Sequence, residues 1–137
     1  MKFVLTDKDG LERFKRNNEN RIASFAKLAM VEAFARLCIK TPVDTGNARW
    51  NWWCSIGNID YKNESHPNLA VDWSRANSAF ISVKAGDTLY VSNSTPYIKR
   101  LNEGWSKQAP ARFVEMTIAG IENDVNKLAN QSIRENP

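Results

Sequence analysis

A chain of 137 residues is long enough to form one domain with a real core and without disulfide or metal staples. At 42% hydrophobic and 25% charged residues its composition excludes disorder. No apolar run approaches the roughly 20 residues needed to span a bilayer, and Met1-Lys2-Phe3-Val4-Leu5 meets Thr6-Asp7-Lys8-Asp9 before a signal-peptide core can form. The expectation is a soluble protein made in the cytoplasm, with no membrane partner.

The formal charge of +4 is unevenly placed, since residues 1–40 hold nine Lys or Arg against five Asp or Glu and residues 41–137 hold ten of each. The excess therefore belongs to the first segment. If nucleic acid is a partner, Arg13, Lys15, Arg16, Arg21 and Lys27 are the side chains that would face its phosphates; the plainer alternative is the solvated face of helices.

In chain order, Lys2 to Leu5 suits a short strand that turns out at Asp7-Lys8-Asp9-Gly10. This opening resembles that of a calcium loop, but the later Gly and closing Glu of such a loop are absent, so no metal is expected. From Leu11 the pattern is helical, with a break or polar kink at Asn17-Asn18-Glu19-Asn20. Arg21 to Ile39 then sets Ile22, Phe25, Ala26, Ala29, Met30, Ala33, Phe34 and Leu37 on one broad apolar face. So many small residues on that face predict close packing.

Thr41-Pro42-Val43-Asp44-Thr45-Gly46 is the corner where the period changes from 3.6 to 2. Pro42 lacks an N–H and disfavours helix at Thr41, Asp44 and Thr45 can bond nearby amides, and Gly46 can take φ > 0. Beyond it, strand alternation puts Ala48, Trp50, Trp52 and Cys54 on a core face and Arg49, Asn51 and Trp53 on the other. Trp53 on the polar side predicts that this side is covered too, by another element or another subunit. Cys38 and Cys54, in unlike settings, read as buried free thiols.

Residues 55–70, with Asn58, Asn63, Ser65, the only histidine His66, Pro67 and Asn68, read as a long exposed loop or an extension reaching a neighbour. Asp72 as N-cap, Trp73, Ala76, Phe80 and Val83 at helical spacing and Gly86 as C-terminal cap predict a helix of about three turns. Thr88 to Ser92 alternates as a strand, and Tyr97 to Pro110 is a polar-aromatic link. Arg112 to Ile133 carries Phe113, Met116, Ile121, Val125 and Leu128 as the stripe of a second long helix. Together these elements describe an α+β fold: one domain over 1–137, with a small, mostly antiparallel sheet packed against long N-terminal and C-terminal helices plus one shorter middle helix.

No nucleophile has a base at a useful spacing, because any Ser-His-Asp or Cys-His site would have to use His66. Asp44, Asp87 and Glu103 lie in turns, where an acid usually caps backbone. The reading is therefore not an enzyme, with no cofactor.

Thr41-Pro42-Val43-Asp44-Thr45-Gly46 before an aromatic run, with Val91-Ser92-Asn93 leading into Pro96-Tyr97 and Leu101-Asn102-Glu103-Gly104, resembles the neck and tail-completion family of long-tailed bacteriophages, the group that includes minor tail protein Z. The likeness covers about residues 10–128. Asn102 before Glu103 and Ala111-Arg112 after the Pro depart from the family's usual pattern, and the Trp-rich run is heavier than usual. The resemblance implies a virion structural protein at the neck or top of the tail, assembled in the host cytoplasm. It implies a homo-oligomeric ring, a hexamer being one option, that joins other neck proteins to the tail tube or terminator, with DNA passing through the lumen. Thr41, Pro42, Asp44, Thr45 and Gly46 would then be the structural turn. Trp53, Tyr97, Glu103, Gly104 and Trp105 are the candidate interface residues.

Overall fold

A computed structural model describes residues 2–3, 19–43, 46–65 and 70–135, with the backbone alone at 2–3, 20–21, 128–129 and 131–135. Among the described residues eight elements follow one another: β1 (Lys2–Phe3), α1 (Glu19–Lys40), α2 (Asn47–Trp50), β2 (Trp53–Ile56), α3 (Arg75–Ala79), β3 (Leu89–Ser92), α4 (Ile98–Asn102) and α5 (Phe113–Glu135). The fold is the expected α+β, with long helices at both ends of the chain.

The sheet is antiparallel with β3 in the middle, in the order β1-β3-β2. Phe3 and Cys54 both lie opposite Val91, and Lys2 and Trp53 both lie opposite Ser92. Leu89 and Val91 point into the core and Tyr90 is half-buried, as a two-residue period requires. α1 packs on β3 and α5 packs on α1, while α3 lies against β2.

The apolar face of α1 is buried as its spacing predicts, through Ile22, Ala29, Met30, Ala33, Phe34 and Leu37. Its small residues let α5 approach, which contributes Phe113, Val114, Ile121 and Val125 to the same cluster. Full burial of the larger of these side chains is worth about 1.5–3 kcal/mol each, so this helix pair supplies a large part of the core's stabilisation, beside Trp52, Phe80, Leu89 and Val91. Across its solvent edge the Arg36 guanidinium bridges Glu32 at 2.8 Å and Asp124 at 2.7 Å. Those hydrogen bonds, to Glu32 first, raise the Arg36 pKa. An exposed pair of this kind adds little beyond orientation.

Four expectations need correction. Residues 47–50 form a helical turn, not strand, and only Trp53–Ile56 pair with β3. Trp50 is half-buried and Asn51 fully buried, so the polar residue sits where alternation would have put it outside. The helix expected from Asp72 to Gly86 shrinks to Arg75–Ala79. There Asp72 Oδ1 bonds the amide and hydroxyl of Ser74, and Asp87 Oδ2 accepts from the Lys84 amide, so local turns compete with helix at both ends. Trp73 and Met116, read as core, are exposed, and Val114 takes the buried place on α5.

Candidate assembly surface

The corner after α1 is built on Thr41. Its hydroxyl donates to the Leu37 carbonyl at 2.6 Å and accepts from the Trp52 indole N–H at 2.7 Å, all in the dry interior. Arg49 reaches back from α2 to the carbonyls of Ile39, at 3.2 Å, and Thr41, at 3.0 Å. A cation on the last carbonyls of a helix satisfies both their lone pairs and the helix dipole. Pro42 follows, outside the helix. Gly46 has φ 84 and opens α2, whose Trp50 amide bonds its carbonyl at 2.9 Å. Asp44 and Thr45 lie outside the described residues.

The Trp-rich run is held by two polar side chains. Asn51 gives its Nδ2 protons to the carbonyls of Asn47 and Glu64, both at 2.8 Å, and its Oδ1 accepts from the Glu64 amide at 2.8 Å and the Trp53 indole at 3.1 Å. Every lone pair and proton of the amide is used, which is what lets it be fully buried. Arg75 Nη1 donates to the carbonyls of Trp50 and Trp52, the latter at 2.7 Å. Its guanidinium lies 3.7 Å from the Trp53 ring centroid and 4.6 Å from that of Trp50. Burial lowers the Arg75 pKa, opposed by nearby Asp72 among others. Lys62 lies over Trp53 as well, at 4.4 Å. The side of Trp53 expected to be covered is thus covered by this chain's own cations.

The second polar block is fastened to the first. Asn93, buried at the end of β3, donates to the Ala48 carbonyl at 2.8 Å and accepts from the Thr95 amide at 3.0 Å. Asn102 caps α5 from a distance: its Oδ1 accepts the Val114 amide at 2.9 Å and its Nδ2 bonds the Glu115 carboxylate at 2.8 Å. It can do so because Arg112, at φ 63, turns the chain into the helix and gives its amide to the Asn102 carbonyl. Gly104, at φ 91, passes so near Ala111 that a Cβ would lie 3.1 Å from that of Ala111. A side chain there would be strained by the backbone conformation and crowded by Ala111. Gln108 clamps the far side, taking the Val43 amide at 2.8 Å and giving Nε2 to the Val43 carbonyl at 2.7 Å.

Between the two blocks runs a groove of about 570 Å³, with Pro42, Val43 and Ala48 on one wall and Tyr97, Leu101 and Trp105 on the other. The 97–112 segment that borders it carries exposed Lys99, Arg100, Lys107 and Arg112 against one acid, Glu103. Arg100 lies 5.0 Å from the Trp105 ring. Of the candidate interface residues, Tyr97 and Trp105 face this groove, Glu103 and Gly104 form the exposed turn beside it, and Trp53 belongs to the Arg75 stack instead. Of the candidate DNA-facing residues, Arg13, Lys15, Arg16 and the Arg21 side chain lie outside the described residues, and Lys27 is half-buried on α1. His66 also lies outside them.

Cys38 and Cys54 are free and buried, as expected. Burial pushes the Cys38 thiol up to about 12 and the Cys54 thiol further in the same direction. Among the described residues no three of His, Cys, Asp and Glu are grouped to hold a metal ion, and no helix is long and apolar enough to cross a membrane. Arg75 and Gln108 had no signal in the sequence, since each acts on backbone atoms far from it in the chain, and Asn51 and Asn102 are visible in it but not the bonds they make to Glu64 and Val114. Comparison with known protein families, with curated proteins and with solved structures found no match.

Proposed function

We propose that this chain is a structural protein of a phage virion, placed at the head-to-tail joint and acting by assembling into a ring of identical subunits. The observation that carries the reading is the meeting of two distant blocks across one groove, with Pro42, Val43 and Gly46 from the first and Tyr97 and Leu101 from the second. These are the blocks on which the resemblance to neck and tail-completion proteins rests. Four buried or clamped hydrogen-bond sets, at Thr41, Asn93, Asn102 and Gln108, hold the groove walls in place. A cleft with aromatic and polar walls and a charged rim is suited to binding another macromolecule. Its partners on this reading are further copies of itself, other neck proteins and the tail tube or terminator.

The test is complementation of assembly. Lysates lacking this protein should accumulate DNA-filled heads and finished tails separately, and adding the purified chain should join them, as counted by electron microscopy. A chain that stays monomeric at high concentration and binds neither heads nor tails would sink the proposal.

A further inference from the structure

We propose that the groove between Pro42, Val43 and Ala48 on one side and Tyr97, Leu101 and Trp105 on the other receives residues 59–64 of a second copy of this chain, with Tyr61 as the inserted side chain. The inference rests on the assembly reading above and names the two surfaces that meet.

After β2 the chain runs without helix or strand through residues 57–65 and, past Gly57 and Asn58, is held at Asp60 and Glu64. Ser92 Oγ donates to the Asp60 carbonyl at 2.7 Å, and Asn51 bonds both the amide and the carbonyl of Glu64 at 2.8 Å. Tyr61, between the two fastenings, is 73% exposed. Lys62, the segment's only cation, has its ammonium over Trp53, 4.4 Å from the ring centre. Of its two carboxylates, that of Glu64 is exposed, and that of Asp60 is half-buried with Oδ1 accepting the Lys62 amide at 2.9 Å. The segment is therefore a pre-ordered, acidic presentation of one aromatic ring, which lowers the entropy cost of docking it.

The groove is its complement. Its Trp105 is 71% exposed and its Tyr97 37%, so a large aromatic surface is left to solvent in a concave place. Trp, Tyr and Arg are the residue types that anchor protein interfaces. A cavity of about 570 Å³ lies within the usual range for enclosing a small organic group, and so takes a tyrosyl ring. Lys99, Arg100 and Lys107 beside it are opposite in charge to Asp60 and Glu64, which orients the approach. Because segment and groove are different surfaces, each copy leaves one of each open. That is a heterologous contact, which forms a ring when the rotation between copies closes and an open filament when it does not.

The experiment uses the full chain, with circular dichroism to check that each variant folds. By sedimentation velocity the wild type should assemble with rising concentration. Tyr61→Ser and Trp105→Ala, both at exposed positions, should each weaken association about tenfold or more. An equimolar mixture of the two should form one-to-one dimers that grow no further, since each variant supplies the face the other lacks. Asp60→Lys with Glu64→Lys should block assembly, and adding Lys99→Glu with Arg100→Glu to the same chain should restore it. Wild-type assembly unchanged by either aromatic variant would overturn this inference and leave the assembly reading standing. So would a mixture that fails to pair, or a groove that binds an oligonucleotide or a tail protein with Tyr61 irrelevant to self-association. A wild-type chain that neither self-associates nor joins heads to tails removes both readings.

Discussion

Thr41 shows how one hydroxyl can decide a corner. It gives its proton to Leu37 and takes that of Trp52, with no water in reach. Thr41→Val keeps the shape but leaves the Trp52 N–H without an acceptor, and a buried orphan donor costs about 1–3 kcal/mol. Urea unfolding should show that loss, with a changed Trp emission in the folded state. The two thiols carry a second prediction at this scale. Their folded pKa values are raised by burial above the unfolded value of about 8.5, so their contribution is intact below that pH and is lost above it. Between pH 8.5 and about 12, where Cys38 itself titrates, stability should fall by up to about 1.4 kcal/mol per pH unit for each thiol. Urea midpoints across that alkaline range would measure it, and the Cys38→Ala, Cys54→Ala double variant should flatten the slope.

Among elements, the short ones depend on partners. α2 and α4 are too brief to stand by local hydrogen bonds alone. Asn93 fixes α2 through the Ala48 carbonyl, and Asn102, at the end of α4, fixes the start of α5. The clamp of Gln108 on Val43 is the exposed member of this set. Gln108→Ala should change global stability by less than about 1 kcal/mol, because exposed hydrogen bonds trade with water. It should nevertheless speed hydrogen exchange at the Val43 amide, since the local opening that exposes this amide becomes easier. Unchanged exchange there would mean that the groove wall is held by its packing alone.

For the whole molecule, the two long helices and β3 make a core that does not need the groove, while Tyr61, Tyr97 and Trp105 lie outside that core. Assembly should therefore raise the melting temperature with protein concentration, as binding to the native state does. Tyr61→Ser should leave the dilute melting temperature unchanged and remove its concentration dependence, read by differential scanning fluorimetry. Added salt should weaken the association without abolishing it, because the charged rim is screened and the aromatic insertion is not.

What the sequence determined by itself was whatever depends on neighbours a few residues apart. The apolar stripe of α1, the end of that helix before Pro42, the alternation of Leu89 and Val91 and the positive φ of Gly46 all follow from local sterics and periodicity. Tertiary structure decided the rest. Alternation misread Ala48 to Trp52 because backbone carbonyls there are satisfied by Arg75 and Asn93, which lie far along the chain. Spacing overextended the middle helix because Asp72 and Asp87 spend their oxygens on local turns. The two blocks that border the groove were visible as motifs, but their meeting was not: Pro42 and Val43 face Tyr97 and Leu101 through tertiary contacts such as the clamp of Gln108 on Val43.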